Sequence, residues 1–403
     1  MRVKKIALTS LAVLTGLITL LICAFLLTRW GMQAYTRSEH RLEGPHAIDV
    51  LEKVTIGGIP QWIHIRGQDR RNPVILYLHG GPGAAMMPYQ HVFQPTWERD
   101  FTVVQWDQRG AGKTAIENRR SSGPELTFDL MKSDALEMSR YLRRRLNQDR
   151  IFLLGHSWGT ILGLPLAQEH PELFHAFIGT GVVVNIEENE RVGYAHVVEM
   201  ARTKGDSKAL KELADILPYP DFTPENHGRK EMVLRTWEMR YGVARAGHTD
   251  IPSYERLMLW RALASPQYSL RDLSYFSKPA WARHTYDGLR LWMLRYDARE
   301  WGTNWRTPIV FIVGRQDWQT PSVLAKAYFD EVQAPAKRFI WIEGAAHATL
   351  TEQVDAFARA LREQVKPLAF LPPKTDSFVC DFSNNAPGRC VAGATKLQPE
   401  IRR

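Results

Sequence analysis

The chain has 403 residues, 44% of them hydrophobic and 24% charged, which excludes intrinsic disorder and collagen-like repeats. Its 52 Lys and Arg against 43 Asp and Glu leave a formal charge of +9, so nucleic acid or an anionic surface has to be weighed as a partner. Three cysteines are too few for a disulfide scaffold, and no His/Cys spacing reads as a metal site. No zinc finger or aromatic-studded basic groove accompanies the charge, so no nucleic-acid partner is expected.

The first element is an apolar run. After Arg2, Lys4 and Lys5, residues 6–28 carry no charged side chain. At 1.5 Å per residue, a helix of about 23 residues crosses a ~30 Å hydrocarbon core. Arg29 and Trp30 stand where the bilayer boundary falls. A cleaved signal peptide is the other reading, but its apolar core is usually ~7–15 residues and a small-x-small site follows it. Cys23 does not read as a lipoprotein site, because Ile22 before it is bulky. The expectation is an uncleaved anchor over 6–28, with the lipid bilayer as partner and residues 1–5 in the cytoplasm. The positive cluster at the start favours that orientation, although Arg29, Arg37 and Arg41 lie on the far side. The protein is therefore expected in the cell membrane, single-pass, with the part after the anchor outside the cytoplasm.

Strands and helices then alternate. Residues 52–65 read as two antiparallel strands turning at Gly57-Gly58. Residues 74–78 form a short continuous apolar run, the mark of a buried parallel strand. Further runs follow at 101–106, 151–154, 176–184, 309–313 and 338–342. Residues 126–146 have helical periodicity, with Thr127 as N-cap. This alternation predicts a doubly wound, mostly parallel sheet. Residues 185–303 break it, reading as amphipathic helices punctuated by Pro218, Pro220, Pro224, Pro252, Pro266 and Pro279. They form a helical cap that divides the core into 42–184 and 304–366. Residues 367–403 read as a tail rich in Pro, Asn and Gly, where Cys380 and Cys390 are either a disulfide or two free thiols.

The chemistry lies at the strand ends. Gly155-His-Ser157-Trp158-Gly159 is G-x-S-x-G, directly after one strand and directly before a helical run, the context this motif requires. A serine needs a base and a group to orient that base. One later strand ends in Gly314-Arg-Gln-Asp317 and the last in Glu343-Gly-Ala-Ala-His347. The order Ser157, Asp317, His347 is that of a strand-end catalytic triad. His79-Gly-Gly81-Pro-Gly83 follows the 74–78 strand, so its backbone N–H groups, Gly81 foremost, can join the Trp158 N–H as an oxyanion hole. No Gly-Lys-Ser/Thr follows, so this is not a phosphate loop.

Together with Trp106-Asp-Gln-Arg-Gly110, these blocks resemble the prolyl iminopeptidase branch of the α/β-hydrolases, peptidase family S33, over roughly residues 50–365. The resemblance implies an α/β-hydrolase fold with a helical cap, and a Ser-His-Asp hydrolase that takes N-terminal residues from short peptides without cofactor or metal. It also implies that Asp107 and Arg109 shape the rim of the site, and that cap carboxylates hold the substrate's free amine. Trp237-Glu238 matches the family's Trp-Glu pair weakly and no second partner is evident; Glu187, Glu188 and Glu190 stand at the cap's entrance as substitutes, with Glu187 and Glu190 taken beside Glu238 as the candidates. The departure leaves two alternatives open: an esterase or lipase acting on a small-molecule ester, and a non-catalytic binding module on the same fold. The complete triad speaks against the second.

Overall fold

The computed structural model describes residues 2–119, 125–223, 225–277, 289, 292–370, 376–384 and 386–392. Pro224 and Pro279, expected to punctuate the cap, lie outside them. The chain begins with helix α1 (Arg2–Glu39). Its stretch Thr9–Glu39 is, among the described residues, the one helix long and apolar enough to cross a membrane. Leu11, Leu14, Leu20 and Leu27 on it are exposed. The helix outruns the expected boundary at residue 28 because its last turns pack on the cap.

Among the described residues, ten strands form one sheet in the order β1-β2-β4-β3-β5-β6-β7-β8-β9-β10. Strands β1 (Ile48–Ile56) and β2 (Ile59–Gly67) are an antiparallel hairpin turning at Gly57-Gly58, and β2 pairs antiparallel with β4 (Thr102–Asp107). From β4 the pairing is parallel through β3 (Val74–Leu78), β5 (Ile151–His156), β6 (Phe174–Thr180), β7 (Ile309–Gly314) and β8 (Ala336–Ile342). The central strands are apolar without alternation because both faces are covered. On β3, Leu76 and Leu78 join one core while Ile75 and Tyr77 join the other. Strand β6 stops at Thr180, short of the expected residue 184, since Gly181 turns the chain in the left-handed region (φ 55).

The helices cover the two faces. Among them, α2 is Gly112–Asn118 and α3 is Phe128–Arg145, the latter capped as expected by Thr127, whose hydroxyl accepts the Leu130 N–H at 3.2 Å. Helix α4 (Trp158–Glu169) leaves the end of β5. The cap contains α5 (Ile186–Thr203), α6 (Ser207–Ala214), α7 (His227–Arg240), α8 (Ile251–Ala264) and the short α9 (Leu270–Leu273). It has its own small core of Val197, Leu213, Leu234 and Trp237.

The region expected as a tail continues the sheet instead. Strand β9 (Asp376–Ser383) pairs parallel with β8, and β10 (Ala386–Ala392) pairs antiparallel with β9. Cys380 and Cys390 face each other across that pair and form a disulfide. Local composition misleads here because the partner of β9 is β8, not a neighbour in sequence.

Candidate active site

Ser157 sits where β5 turns into α4, at φ 54 and ψ −119, a left-handed conformation that a non-glycine residue rarely takes. Its flanking glycines are required by space. A Cβ on Gly155 would lie 2.4 Å from the Gly159 carbonyl oxygen, and one on Gly159 would lie 2.0 Å from that of Leu78. The turn thus lifts Ser157 above the sheet at the N-terminus of α4, beside the first helical N–H groups. Its hydroxyl makes no hydrogen bond among the described residues.

Asp317 and His347 follow β7 and β8, and the fold brings them together. His347 Nδ1 lies 3.0 Å from Asp317 Oδ2, with both side chains about 2% exposed or less. Asp317 Oδ1 also accepts the Thr320 N–H at 2.9 Å, and its Oδ2 accepts the Thr320 hydroxyl at 2.8 Å. That hydroxyl stands 3.1 Å from His347 Nδ1. The aspartate can therefore hold the imidazole with its proton on Nδ1 and Nε2 free to act as a base. Burial, and then the neighbouring His347, keep His156 well below the ordinary imidazole range. Neutral His156 donates from Nε2 to the His347 carbonyl at 2.9 Å, steadying the loop.

The glycine-rich loop after β3 comes close to the serine. Gly81 (φ 115) and Pro82 line one cavity of about 270 Å³ together with Ser157 and Trp158. His79 is buried and its pKa is pushed down to about 4 by that burial. It donates from Nδ1 to the Gly80 carbonyl at 2.9 Å and accepts the Gln108 N–H on Nε2 at 3.3 Å. The Gln108 side chain spans the two expected oxyanion segments: Nε2 donates to the His79 carbonyl and Oε1 accepts from Trp158 Nε1, each at 3.3 Å. Asp107 accepts the Lys113 N–H at 2.8 Å. Arg109 turns away from the cavity, forming a two-point pair with Asp134 at 2.7 and 3.0 Å and donating to the Gly57 carbonyl. Neither residue lines the cavity rim that the resemblance implied; both brace neighbouring backbone instead.

Of the cap carboxylates, Glu190 lines the cavity. Helix α5 presents Ile186, Asn189 and Glu190 to it, the i, i+3, i+4 stripe of one helical face. Glu187 lies about 100° around from Ile186, off that stripe, and is exposed in the first turn. It does not join the site, which corrects the expectation. Glu238 is fully buried just behind the cavity and accepts two bonds from Arg235 Nη1, at 2.8 and 3.0 Å. Burial pushes its pKa up to about 7, although Arg235 pulls the other way. Arg235 also donates to Glu190, whose second oxygen accepts the Tyr219 hydroxyl. Glu231 lies 3.6 Å from the same guanidinium. Three carboxylates around one cation leave this end of the cavity net negative. Ile161, Val183, Met293 and Leu294 add apolar lining to the same cavity. Thr320, Gln108, Arg235 and Tyr219 were missed from sequence. Only Gln108 had a signal, lying inside a block already singled out.

The α/β-hydrolase fold family matches residues 73–353. A probable aminopeptidase of Bacillus subtilis is 29% identical over 320 residues, covering 79% of this chain and 97% of its own. Among solved structures, the proline iminopeptidase of Mycobacterium smegmatis superposes with a TM-score of 0.55 at 17% identity, over 79% of this chain and 99% of its own. A bacterial membrane phospholipase A gives the same TM-score at 16% identity, over 89% of this chain and 99% of its own. Those two structures share the fold.

Proposed function

The chain belongs to the α/β-hydrolase family, in its proline-iminopeptidase-like branch, and we propose that it is a membrane-anchored serine aminopeptidase working through Ser157, His347 and Asp317. The observation that carries this reading is the buried Asp317–His347 pair set beside a strained serine elbow, at the base of a cavity with a net negative end. Ser157 Oγ attacks the substrate carbonyl while His347 Nε2 takes its proton. The oxygen gains the negative charge and is met by the N–H groups of Gly81 and Trp158. Collapse breaks the amide bond, and His347 returns the proton to the leaving amine. Water then attacks the acyl-enzyme with the same base and frees Ser157. A substrate's N-terminal ammonium is attracted to the Glu190, Glu231 and Glu238 end, which favours removal of one N-terminal residue from a short peptide.

A carboxylic ester hydrolase is the second reading, and one arrangement favours it. Both oxygens of Glu190 are already bonded, to Arg235 and Tyr219, beside an apolar wall suited to an acyl chain. The likeness to a membrane phospholipase A points the same way.

Full-length protein in membranes is labelled with a fluorophosphonate and assayed on aminoacyl anilides and acyl esters. Ser157→Ala should lose labelling and at least about 10⁴-fold in kcat. Unlabelled wild type, or an equally labelled variant, rejects the mechanism. Glu231→Gln, at a carboxylate that lines the cavity, should slow anilides about tenfold and leave esters alone; equal loss on both rejects the amine site.

A further inference from the structure

A line of bonds runs from the anchor helix to the oxyanion side of the site. Near the end of the apolar run, Arg29 Nη2 donates to the Tyr268 carbonyl at 2.6 Å. One turn further on, Gln33 Nε2 donates to the Ser265 carbonyl at 2.7 Å and reaches that of Tyr268 at 3.5 Å. Tyr268 lies in the cap between α8 and α9 and is about 1% exposed. Its hydroxyl donates to Oδ2 of Asp107, the last residue of β4. Lys113 braces the same place, donating from Nζ to Asp272 at 2.7 Å and lying 5.4 Å from the centre of the Tyr268 ring. The residue after Asp107 is Gln108, whose side chain ties the His79 carbonyl to the Trp158 ring. A second cap tyrosine, Tyr275, donates to the Gly83 carbonyl at 2.8 Å and holds the far end of the same loop.

We propose that Tyr268 is a positioning residue for the oxyanion hole: through Asp107 and Gln108 it sets the spacing between the 79–83 loop and the Trp158 N–H, and α1 holds it in place. The proposal rests on the mechanism above and adds to it a route by which the membrane helix bears on the chemical step. Asp107 makes the link demanding. It is fully buried, and its Oδ1 has no partner among the described residues, so the Tyr268 hydroxyl and the Lys113 N–H hold the carboxyl group, while the Thr114 hydroxyl holds the backbone carbonyl. Without the phenol, a carboxyl group that has lost its hydration retains one donor, and the Gln108 side chain beyond it loses part of its register against the cap. A shift of a few tenths of an ångström at the donors weakens bonds that form fully only in the transition state.

The test is kinetic, on the full chain reconstituted in lipid bilayers. Tyr268→Phe should lower kcat about tenfold to a hundredfold with KM within about twofold, and should slow fluorophosphonate labelling in parallel, since that adduct also places an oxygen between the two donors. Gln108→Ala should do the same, and the double variant should be no worse than the poorer single one, because both act on one spacing. Unchanged kcat in Tyr268→Phe, a loss in KM rather than kcat, or additive losses in the double variant each overturn the proposal. If Tyr268→Phe does not fold, the Arg29→Ala, Gln33→Ala double variant decides. It removes the α1 side-chain bonds to the Ser265 and Tyr268 carbonyls and should lower kcat at unchanged KM; wild-type kcat there overturns the proposal. Ser157→Ala run alongside separates the two levels: wild type that labels while Ser157→Ala does not upholds the mechanism, whatever Tyr268 does.

Discussion

Thr320 touches both members of the buried Asp317–His347 pair, its hydroxyl 2.8 Å from Asp317 Oδ2 and 3.1 Å from His347 Nδ1. Hydrogen bonds to charged groups contribute about 1.5–3 kcal/mol. Thr320→Val keeps the shape and the backbone bond but loses both hydroxyl contacts. It should lower kcat/KM by about ten- to a hundredfold at an unchanged melting temperature; steady-state kinetics checks this. Glu238 makes a prediction about pH. Burial raises its pKa to about 7 from an ordinary 4.5, so the folded state holds a proton that the unfolded state releases. That contribution to stability is present below about pH 4.5 and is lost as pH rises through 7. Asp107 and Glu352, each pushed by burial to about 7, act in the same sense. Melting temperature should therefore fall between pH 5 and 8, and Glu238→Gln should flatten part of that fall; a parallel curve would count against it. At this scale Ser157, Asp317 and His347 were legible because their positions at strand ends are constrained by motif and order. Thr320 and Arg235 were not, since nothing in their neighbourhoods announces the long-range partners they meet.

The terminal hairpin carries the prediction at the scale of the element. Strand β9 lies beside β8, and the Phe382 carbonyl accepts the Glu343 N–H at 2.8 Å, four residues before His347. The disulfide closes a loop of sequence separation 10, and the chain-entropy account gives a loop of that size roughly 2–3 kcal/mol. Cys390→Ser should lower the melting temperature by several degrees, and reductant should lower that of the wild type but not of the variant. Equal melting of all three would show that the bridge adds nothing. The central strands were readable because continuous apolar runs have one explanation in a doubly covered sheet. Strands β9 and β10 were not. An edge hairpin rich in turn-forming residues takes its register from the strand it joins, which lies 30 or more residues away in sequence.

Across the whole molecule the question is where the catalytic unit stands relative to the bilayer. Helix α1 has 38 residues, about 57 Å at 1.5 Å each, well beyond a ~30 Å hydrocarbon core. On the proposed anchored reading its last turns extend beyond the bilayer, and there Arg29 and Gln33 bond to cap carbonyls. Those bonds would hold the cap against the end of α1. Two observations favour a catalytic domain outside the cytoplasm: the basic cluster Arg2, Lys4 and Lys5 before the apolar run, and the disulfide, which persists in oxidising compartments. On that reading, part of the +9 charge serves topology and not an anionic partner. The protein should stay in the membrane pellet after alkaline carbonate washing. Protease added to intact spheroplasts should digest the catalytic domain while a cytoplasmic marker survives. A domain protected until lysis would reverse the orientation, and release by carbonate would remove the anchor altogether.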